Sequence, residues 1–490
     1  MKKSIKSLCV IVMAVFFLIG CGTNKDDKKN DEKVKLDPEN PISIRVWHYY
    51  NGSQQAAFDE LVNEFNSTKG KELGINVEGI SQGTVSDLEK TVSDSIDGKV
   101  GVDKLPDIFS SYADTAYYAQ QKGKLVDLSE YFSKEELEKY VDSYIEEGYL
   151  KNDKALYLFP VAKSTESLMI NKTDWKPFAK QTGSSLGELK TIEGVAKVAK
   201  RYYEWTDAKT PNKPNDGKAF YGRDSMANYF VIGMKQLGMD IFEVKGSNVK
   251  FNIDKKRIKR LWENYYVPYI NGYFTALGKF RSDDVKTGDI LAYTGSSMSA
   301  MYFPDKVEDD DDKSHHIDYE VLPVPIMSGG ENYKVQQGAD MAVTKSDKKH
   351  EYASCVFIKW FTQKDKNLQF ACESAYMPVL KSANNVKALD DIIKKKKLKV
   401  NNKTYDCLKN VMRDFNNTKY YTSKNFENGS SARDVLETVL SSKAQKDRKQ
   451  IKKALAKGKN RTEIIKKYTT EEAFDKWYDD FCDALSNSLK

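Results

Sequence analysis

From residue 42 onward the chain switches between two apolar periods. Ile42, Ile44 and Val46 alternate with polar neighbours as a half-buried strand does, and the run ends in Trp47-His48-Tyr49-Tyr50 before Asn51-Gly52-Ser53. Phe58, Leu61, Val62 and Phe65 then recur at helical spacing. Gly74 to Ile80 predicts a second strand ending at Ser81-Gln82-Gly83, and Leu88, Val92 and Ile96 predict an amphipathic helix after it. Leu105 to Phe109 predicts a third strand, running into Ser110-Ser111-Tyr112-Ala113-Asp114 and another helix. Strands and helices in this order imply a largely parallel sheet with right-handed crossovers.

A second unit begins at Phe159-Pro160, where the chain is expected to cross over before the apolar strand Ser167 to Asn171. A helix on Val195, Val198, Ala199 and Tyr202 follows, then Tyr221-Gly222-Arg223-Asp224, a strand from Asp289 to Ser296 and an extended piece from Val321 to Pro325. Tyr333 to Gly338 and Tyr376-Met377-Pro378-Val379 read as two further crossings. Beyond Asn384, Leu436, Val439, Leu440, Phe474, Trp477 and Phe481 fall at helical spacings and predict helices packed on the second unit. The roughly 450 residues after Asn40 leave room for two or three compact domains, and no repeat of solenoid length is present.

The first forty residues follow neither period. Lys2, Lys3 and Lys6 precede an apolar run from Leu8 to Leu18, which is far shorter than the roughly 20 residues a spanning helix needs. With Leu18-Ile19-Gly20-Cys21 closing it, this stretch resembles the bacterial lipobox, which implies a signal peptide over 1–20 and a diacylglyceryl group (palmitate-type acyl chains) on Cys21. Two acyl chains anchor stably to a membrane where one does not. Gly22 to Asn40 carries only Val34 and Leu36 as aliphatics, so 21–40 is expected to be a lipidated cysteine and a disordered tether with a reach of roughly 25 Å. Losing three lysines with the leader takes the formal charge from +7 to +4. That is too weak for a nucleic-acid surface, and the Lys394 to Lys397 and Glu308 to Asp312 runs read as solvated faces.

In open α/β sheets the ligand crevice lies beyond the carboxyl ends of the strands. Here that selects Trp47 to Tyr50, Ser81 to Gly83 and Ser110 to Asp114, clusters that combine flat rings with hydroxyl and amide partners suited to a polyhydroxylated ligand. For Trp47 or Tyr112 singly, capping the sheet as a core aromatic is an equally open reading. His315 and His316 recur in no ligand spacing, so no metal and no cofactor is expected. Cys355, Cys372, Cys407 and Cys482 leave pairing open. No Walker-type phosphate loop is present. A membrane-anchored glycoside hydrolase would need a carboxylate pair such as Asp114 and Glu166, which nothing in their spacing singles out.

Taken in order, Trp47-His48-Tyr49-Tyr50, Leu105-Pro106-Asp107-Ile108, Phe159-Pro160 with Ser164-Thr165 before Ile170-Asn171-Lys172, Gly288-Asp289, Val321-Leu322-Pro323 and Tyr376-Met377-Pro378-Val379 resemble family 1 extracellular solute-binding proteins. The resemblance spans essentially the whole mature chain. It implies a two-lobe periplasmic-binding-protein-like fold (type II), each lobe a mainly parallel sheet flanked by helices. A hinge of about three crossings would join an N-terminal lobe of 41–160 plus 335–376 to a C-terminal lobe of 161–334 plus 377–490. It implies a binding protein rather than an enzyme, held on the extracellular face of the cell membrane as a monomer, which hands a carbohydrate to the transmembrane subunits of an ABC permease. The pattern is closest to oligosaccharide and glycerol-3-phosphate binders. In the latter, contacts come from a Ser-Thr crossover, a Gly-Ser strand end, a Gly-rich third segment and a Gly-Tyr-Leu-Pro hinge, at Ser164, Ser296, Gly338 and Tyr376 here. This chain has Ser374-Ala375 before Tyr376, and Gln336-Gln337 before Gly338, where the family carries glycine. A phosphate would call on Lys163, Arg223 or Arg281. The expected contact set is therefore Trp47, Tyr112 and Tyr376 as walls, with Gln82, Asp114, Ser164, Arg223, Ser296, Gln337 and Gly338 as polar or backbone partners.

Overall fold

The structure is a computed structural model and describes residues 34–150, 154–245, 248–308 and 314–490. The leader and Cys21 lie outside the described residues. The compact unit runs from Leu36 to Lys490, so the folded body starts a few residues before the expected Pro41. Leu36 packs on the core, and Ile42 N–H donates to Gly74 O at 2.9 Å.

Two four-stranded sheets organise this unit. Their strands, numbered in chain order, are β1 Ile42–His48, β2 Ile75–Ser81, β3 Ile108–Ser111, β4 Glu166–Asn171, β5 Tyr221–Arg223, β6 Ala292–Ser296, β7 Tyr319–Pro323 and β8 Asp340–Val343. The first sheet has the order β8-β3-β1-β2, with β1 parallel to both neighbours and β8 antiparallel at the edge. The second has the order β7-β4-β6-β5, and here only β5 with β6 is parallel. The mainly parallel expectation thus holds for the first sheet and not for the second. Its β4 enters directly from a crossing, without the helical connection that parallel pairing requires.

Each sheet has its own main core, and the second also gives Met169, Tyr293 and Val321 to a smaller cluster with Phe303 and Cys407. Phe58, Phe65, Phe357, Trp360 and Phe361 form a ring cluster on the first, with Phe65 and Trp360 5.3 Å apart. Phe178, Tyr202, Trp262, Phe474 and Phe481 are buried with the second. Burying each such ring contributes roughly 1.5–3 kcal/mol. The tail helices Gly429–Leu455 and Glu471–Asn487 bury Leu436, Leu440, Phe474, Trp477 and Phe481 in the second core, as their spacing predicts.

The segment between the cores and the tail differs from expectation. Tyr376, Val379, Leu389, Leu408 and Tyr420 belong to the first core, and the second resumes at Phe426. Of residues 377–420, expected in the C-terminal lobe, Val379, Leu389, Leu408 and Tyr420 pack with the first core while Cys407 is buried with Met169, Tyr293 and Val321 of the second sheet. Lys419–Tyr421 pairs in parallel with Tyr333–Val335, and Tyr376–Val379 lies against the crossings. Two connections are hydrogen-bonded together: Ser164 N–H donates to Gln337 O at 2.8 Å and Gln337 N–H to Ser164 O at 3.0 Å, while Lys163 N–H reaches Met377 O at 3.1 Å. No helix among the described residues is long and apolar enough to cross a membrane.

Candidate functional site

A cavity of about 370 Å³ opens between the two lobes. Its first wall is built at helix starts. Tyr112 follows β3 in an extended conformation, as N-cap of the helix Ala113–Gln121, and places Asp114 in the first turn, where the helix dipole favours a carboxylate. Glu89 comes from the helix Val85–Ile96, which is opened by the reciprocal Thr84 and Asp87 cap, and Glu147 from the end of the helix Asp142–Glu147.

The opposite wall comes from Asn228 on the helix Met226–Gln236 and Arg433 on Gly429–Leu455. These two helices are fastened by Glu437, whose carboxylate accepts from Met226 N–H at 3.1 Å, Ala227 N–H at 2.8 Å and Ser225 Oγ–H at 3.1 Å. A carboxylate on an exposed helix N-terminus satisfies donors the helix cannot pair itself. The walls come close, since a Cβ built on Gly429 would lie 3.4 Å from Asp114 Oδ1. Gln336 and Gln337 form the floor, and the Thr422 to Phe426 loop closes one side.

A polar relay runs from the cavity into the second lobe. Arg433 Nη2 donates to Asn228 Oδ1 at 3.3 Å, Asn228 Nδ2 donates to Glu166 Oε1 at 3.0 Å, and Arg223 Nη2 donates to Glu166 Oε2 at 2.6 Å. Under the floor, buried Lys163 places Nζ 2.8 Å from Glu147 Oε2 and 2.7 Å from Asp340 Oδ1. Burial opposes the Lys163 charge, but the Asp340 and Glu147 carboxylates outweigh it and hold the ammonium above its usual range. Burial pushes Asp340 up, with Lys163 opposing. On the wall, burial raises Asp114 against the opposing pull of Arg433, and raises Glu89 with the Asp114 charge adding to it.

Of the expected contacts, Tyr112, Asp114 and Gln337 line the cavity. Trp47 is 2% exposed and belongs to the first core. Tyr376 is also buried, its hydroxyl 2.9 Å from that of Tyr49. Arg223 is spent on Glu166. Ser164 is buried in the crossing, Gln82 donates its N–H to His48 O, and Ser296 caps the turn after β6 by accepting from Met298 N–H. Gly338 sits at φ 101°, where a Cβ would come 2.8 Å from Ala162 O, so it lets two crossings pack rather than touching the cavity. Glu166 is closed in by Arg223 and Asn228, away from Asp114, and the two form no carboxylate pair on the cavity wall. Reasoning from the sequence missed Glu89, Glu147, Asn228, Asn425 and Arg433. Arg433 and Asn425 lie in the tail, where helical spacing signals packing alone.

Cys355, Cys372, Cys407 and Cys482 are free, and burial pushes the Cys372 thiol up to about 12. A second, wider hollow of about 690 Å³ is confined to the second lobe, beside Arg448, Lys449 and Lys452.

Two α/β lobes joined by paired crossings, with a polar cavity between them, define a two-lobe ligand-binding protein. Residues 60–400 match the family of bacterial extracellular solute-binding proteins, and the chain belongs to that family. Among solved structures it is similar to the cyclic alpha-maltosyl-1,6-maltose binding protein of Arthrobacter globiformis, at 18% identity and a TM-score of 0.65 over 92% of this chain and 100% of that one. It is also similar to UgpB of Mycobacterium tuberculosis, solved with glycerophosphocholine, at 15% identity and a TM-score of 0.61 over 91% and 99%. A third likeness is to the ABC substrate-binding protein Lmo0181 of Listeria monocytogenes, solved with cycloalternan, at 14% identity and a TM-score of 0.61 over 91% and 100%. These identities establish a shared fold. No curated protein matches by sequence.

Proposed function

We propose that this chain is the capture subunit of an ABC importer, held at the extracellular face of the membrane through a lipid on Cys21, and that its ligand is a carbohydrate of oligosaccharide size. One observation carries the reading: the cavity sets the rings of Tyr112 and Phe426 beside the side-chain amides of Gln336, Gln337 and Asn425. Rings cover the C–H faces of a sugar and amides pair with its hydroxyls. The ligands named for two of the similar structures, cyclic maltosyl-maltose and cycloalternan, support the same class. A glycerol-phosphate ligand finds the three cations expected for it already paired. Lys163 and Arg223 are committed to buried carboxylates, and Arg281 to Asp284.

In this reading the lobes are 36–162 plus 339–420 and 163–338 plus 421–490, and closure between them buries the ligand for delivery to a permease. Isothermal calorimetry of the purified protein against neutral oligosaccharides and glycerol phosphates tests it. A saccharide is expected to bind, and Tyr112→Ala to weaken it by at least about tenfold, which is about 1.4 kcal/mol. Unchanged affinity in Tyr112→Ala would sink the cavity assignment. Lipidation is tested separately: Cys21→Ala is expected to move the protein from the membrane fraction to the medium.

A further inference from the structure

The charges around the cavity do not balance. Glu89, Asp114, Glu147 and Asp434 line it, against Lys424 and Arg433. Glu147 is already matched, because Lys163 stands behind it and shares its charge with Asp340. Arg433 acts on Asp114 while its guanidinium also serves Asn228. Glu89 stands beside the Asp114 charge and the Thr115 hydroxyl. Four carboxylates and two cations therefore line a surface that closure takes out of water, where an uncompensated charge is costly.

Two uncharged groups of the same cavity independently have unused hydrogen-bonding capacity. Gln336, 2% exposed, donates its Nε2 hydrogens to Ser143 O and Glu147 Oε2, yet its Oε1 is buried and accepts nothing. Asn425 Nδ2 on the closing loop is buried and donates to nothing. Both side chains line the cavity. Buried polar groups are almost always paired, and because these two side chains line the cavity a molecule bound there can supply their partners. Gln336 Oε1 needs a donor, Asn425 Nδ2 needs an acceptor, and the carboxylates need positive charge.

We propose that the ligand is an amine-bearing saccharide, its ammonium seated by Asp114 and Glu89 beside the Tyr112 ring and its hydroxyls paired with Gln336 and Asn425. This rests on the saccharide reading above and narrows it. An ammonium supplies donors and charge at once, and an aromatic face adds a cation–π contribution. Hydroxyls can both donate to Gln336 Oε1 and accept from Asn425 Nδ2. A phosphorylated or uronate-bearing ligand would bring a third negative charge to the same wall.

Titration calorimetry with three probes on the purified full-length protein tests it: a glucosamine trisaccharide, its fully N-acetylated counterpart, which keeps the ring size and loses the charge, and glycerol 3-phosphate. The amine form is expected to bind at least about tenfold more tightly than the acetylated form. Asp114→Asn and, independently, Glu89→Gln are each expected to bring that ratio towards one, with melting curves confirming that both variants fold. Equal or weaker binding of the amine form overturns the inference and leaves the saccharide reading standing. An amine preference that survives both substitutions overturns the assignment to this wall. Binding of glycerol 3-phosphate alone, or of no saccharide, overturns both readings.

Discussion

Lys163 is fully buried between two carboxylates, and a buried ion group of this kind is strongly asymmetric to mutation. Replacing it with methionine leaves Glu147 and Asp340 without their shared cation and is expected to cost about 3–5 kcal/mol. The loss should depend on pH. Burial already raises Asp340, and without Lys163 it rises further, so the folded state binds the proton more tightly than the unfolded one and stability falls as pH increases through the raised value. Urea unfolding of Lys163→Met is thus expected to show a smaller deficit near pH 5 than near pH 8, and a pH-independent deficit would refute the triad. Gly338 is a second sensitive point: Gly338→Ala combines a positive φ with a backbone contact at 2.8 Å and is expected to cost more than about 1–2 kcal/mol. None of this was legible locally. Lys163 looked like a candidate phosphate partner, and Trp47 and Tyr376 like stacking rings, because a sequence gives residue type without direction. At a strand end the same aromatic can face the cleft, as Tyr112 does, or complete the core, as Trp47 does.

Between elements, the legible part was what repeats with a period. The alternation of 42–48 and the helical spacings of 58–65, 195–202 and 436–440 all correspond to elements at those places. The site depends instead on contacts that no local pattern encodes. Glu437 holds the N-terminus of Met226–Gln236 from about two hundred residues away in sequence, with bonds of 2.8 and 3.1 Å to its first N–H groups. That bond sets where Asn228 and Arg433 stand, and so sets the second wall of the cavity. Removing it by Glu437→Ala should cost about 1 kcal/mol of stability, the size of a lost cap, and should also weaken ligand binding although Glu437 does not line the cavity. Comparing melting temperature with calorimetric affinity separates the two effects: an affinity equal to wild type would show that the cap acts on stability alone.

At the scale of the whole molecule, opening must bend the crossings without breaking either core, and one element constrains that movement. The helix Asn402–Arg413 gives Leu408, Val411 and Met412 to the first core. It also reaches the second lobe through Lys403 Nζ on Phe303 O at 2.6 Å and Asp305 Oδ1 at 2.5 Å, and through Asn410 Nδ2 on Val321 O at 3.2 Å. None of these residues lines the cavity. The same helix buries Cys407 with Met169, Tyr293, Phe303 and Val321 of the second lobe; packed against both lobes away from the ligand it acts as a pivot, and hinge motion of this kind is the usual way a two-lobe binder admits its ligand. Loosening it should shift population towards open forms, and the apparent affinity then falls in proportion to the fraction still able to close. For Lys403→Ala with Asn410→Ala we expect a larger radius of gyration by small-angle scattering without ligand, the wild-type value with saturating ligand, and an affinity lowered several-fold. A free-state radius unchanged by both substitutions would mean that the crossings alone set the opening. Equal expansion with and without ligand would mean that the lobes had lost their packing rather than their pivot.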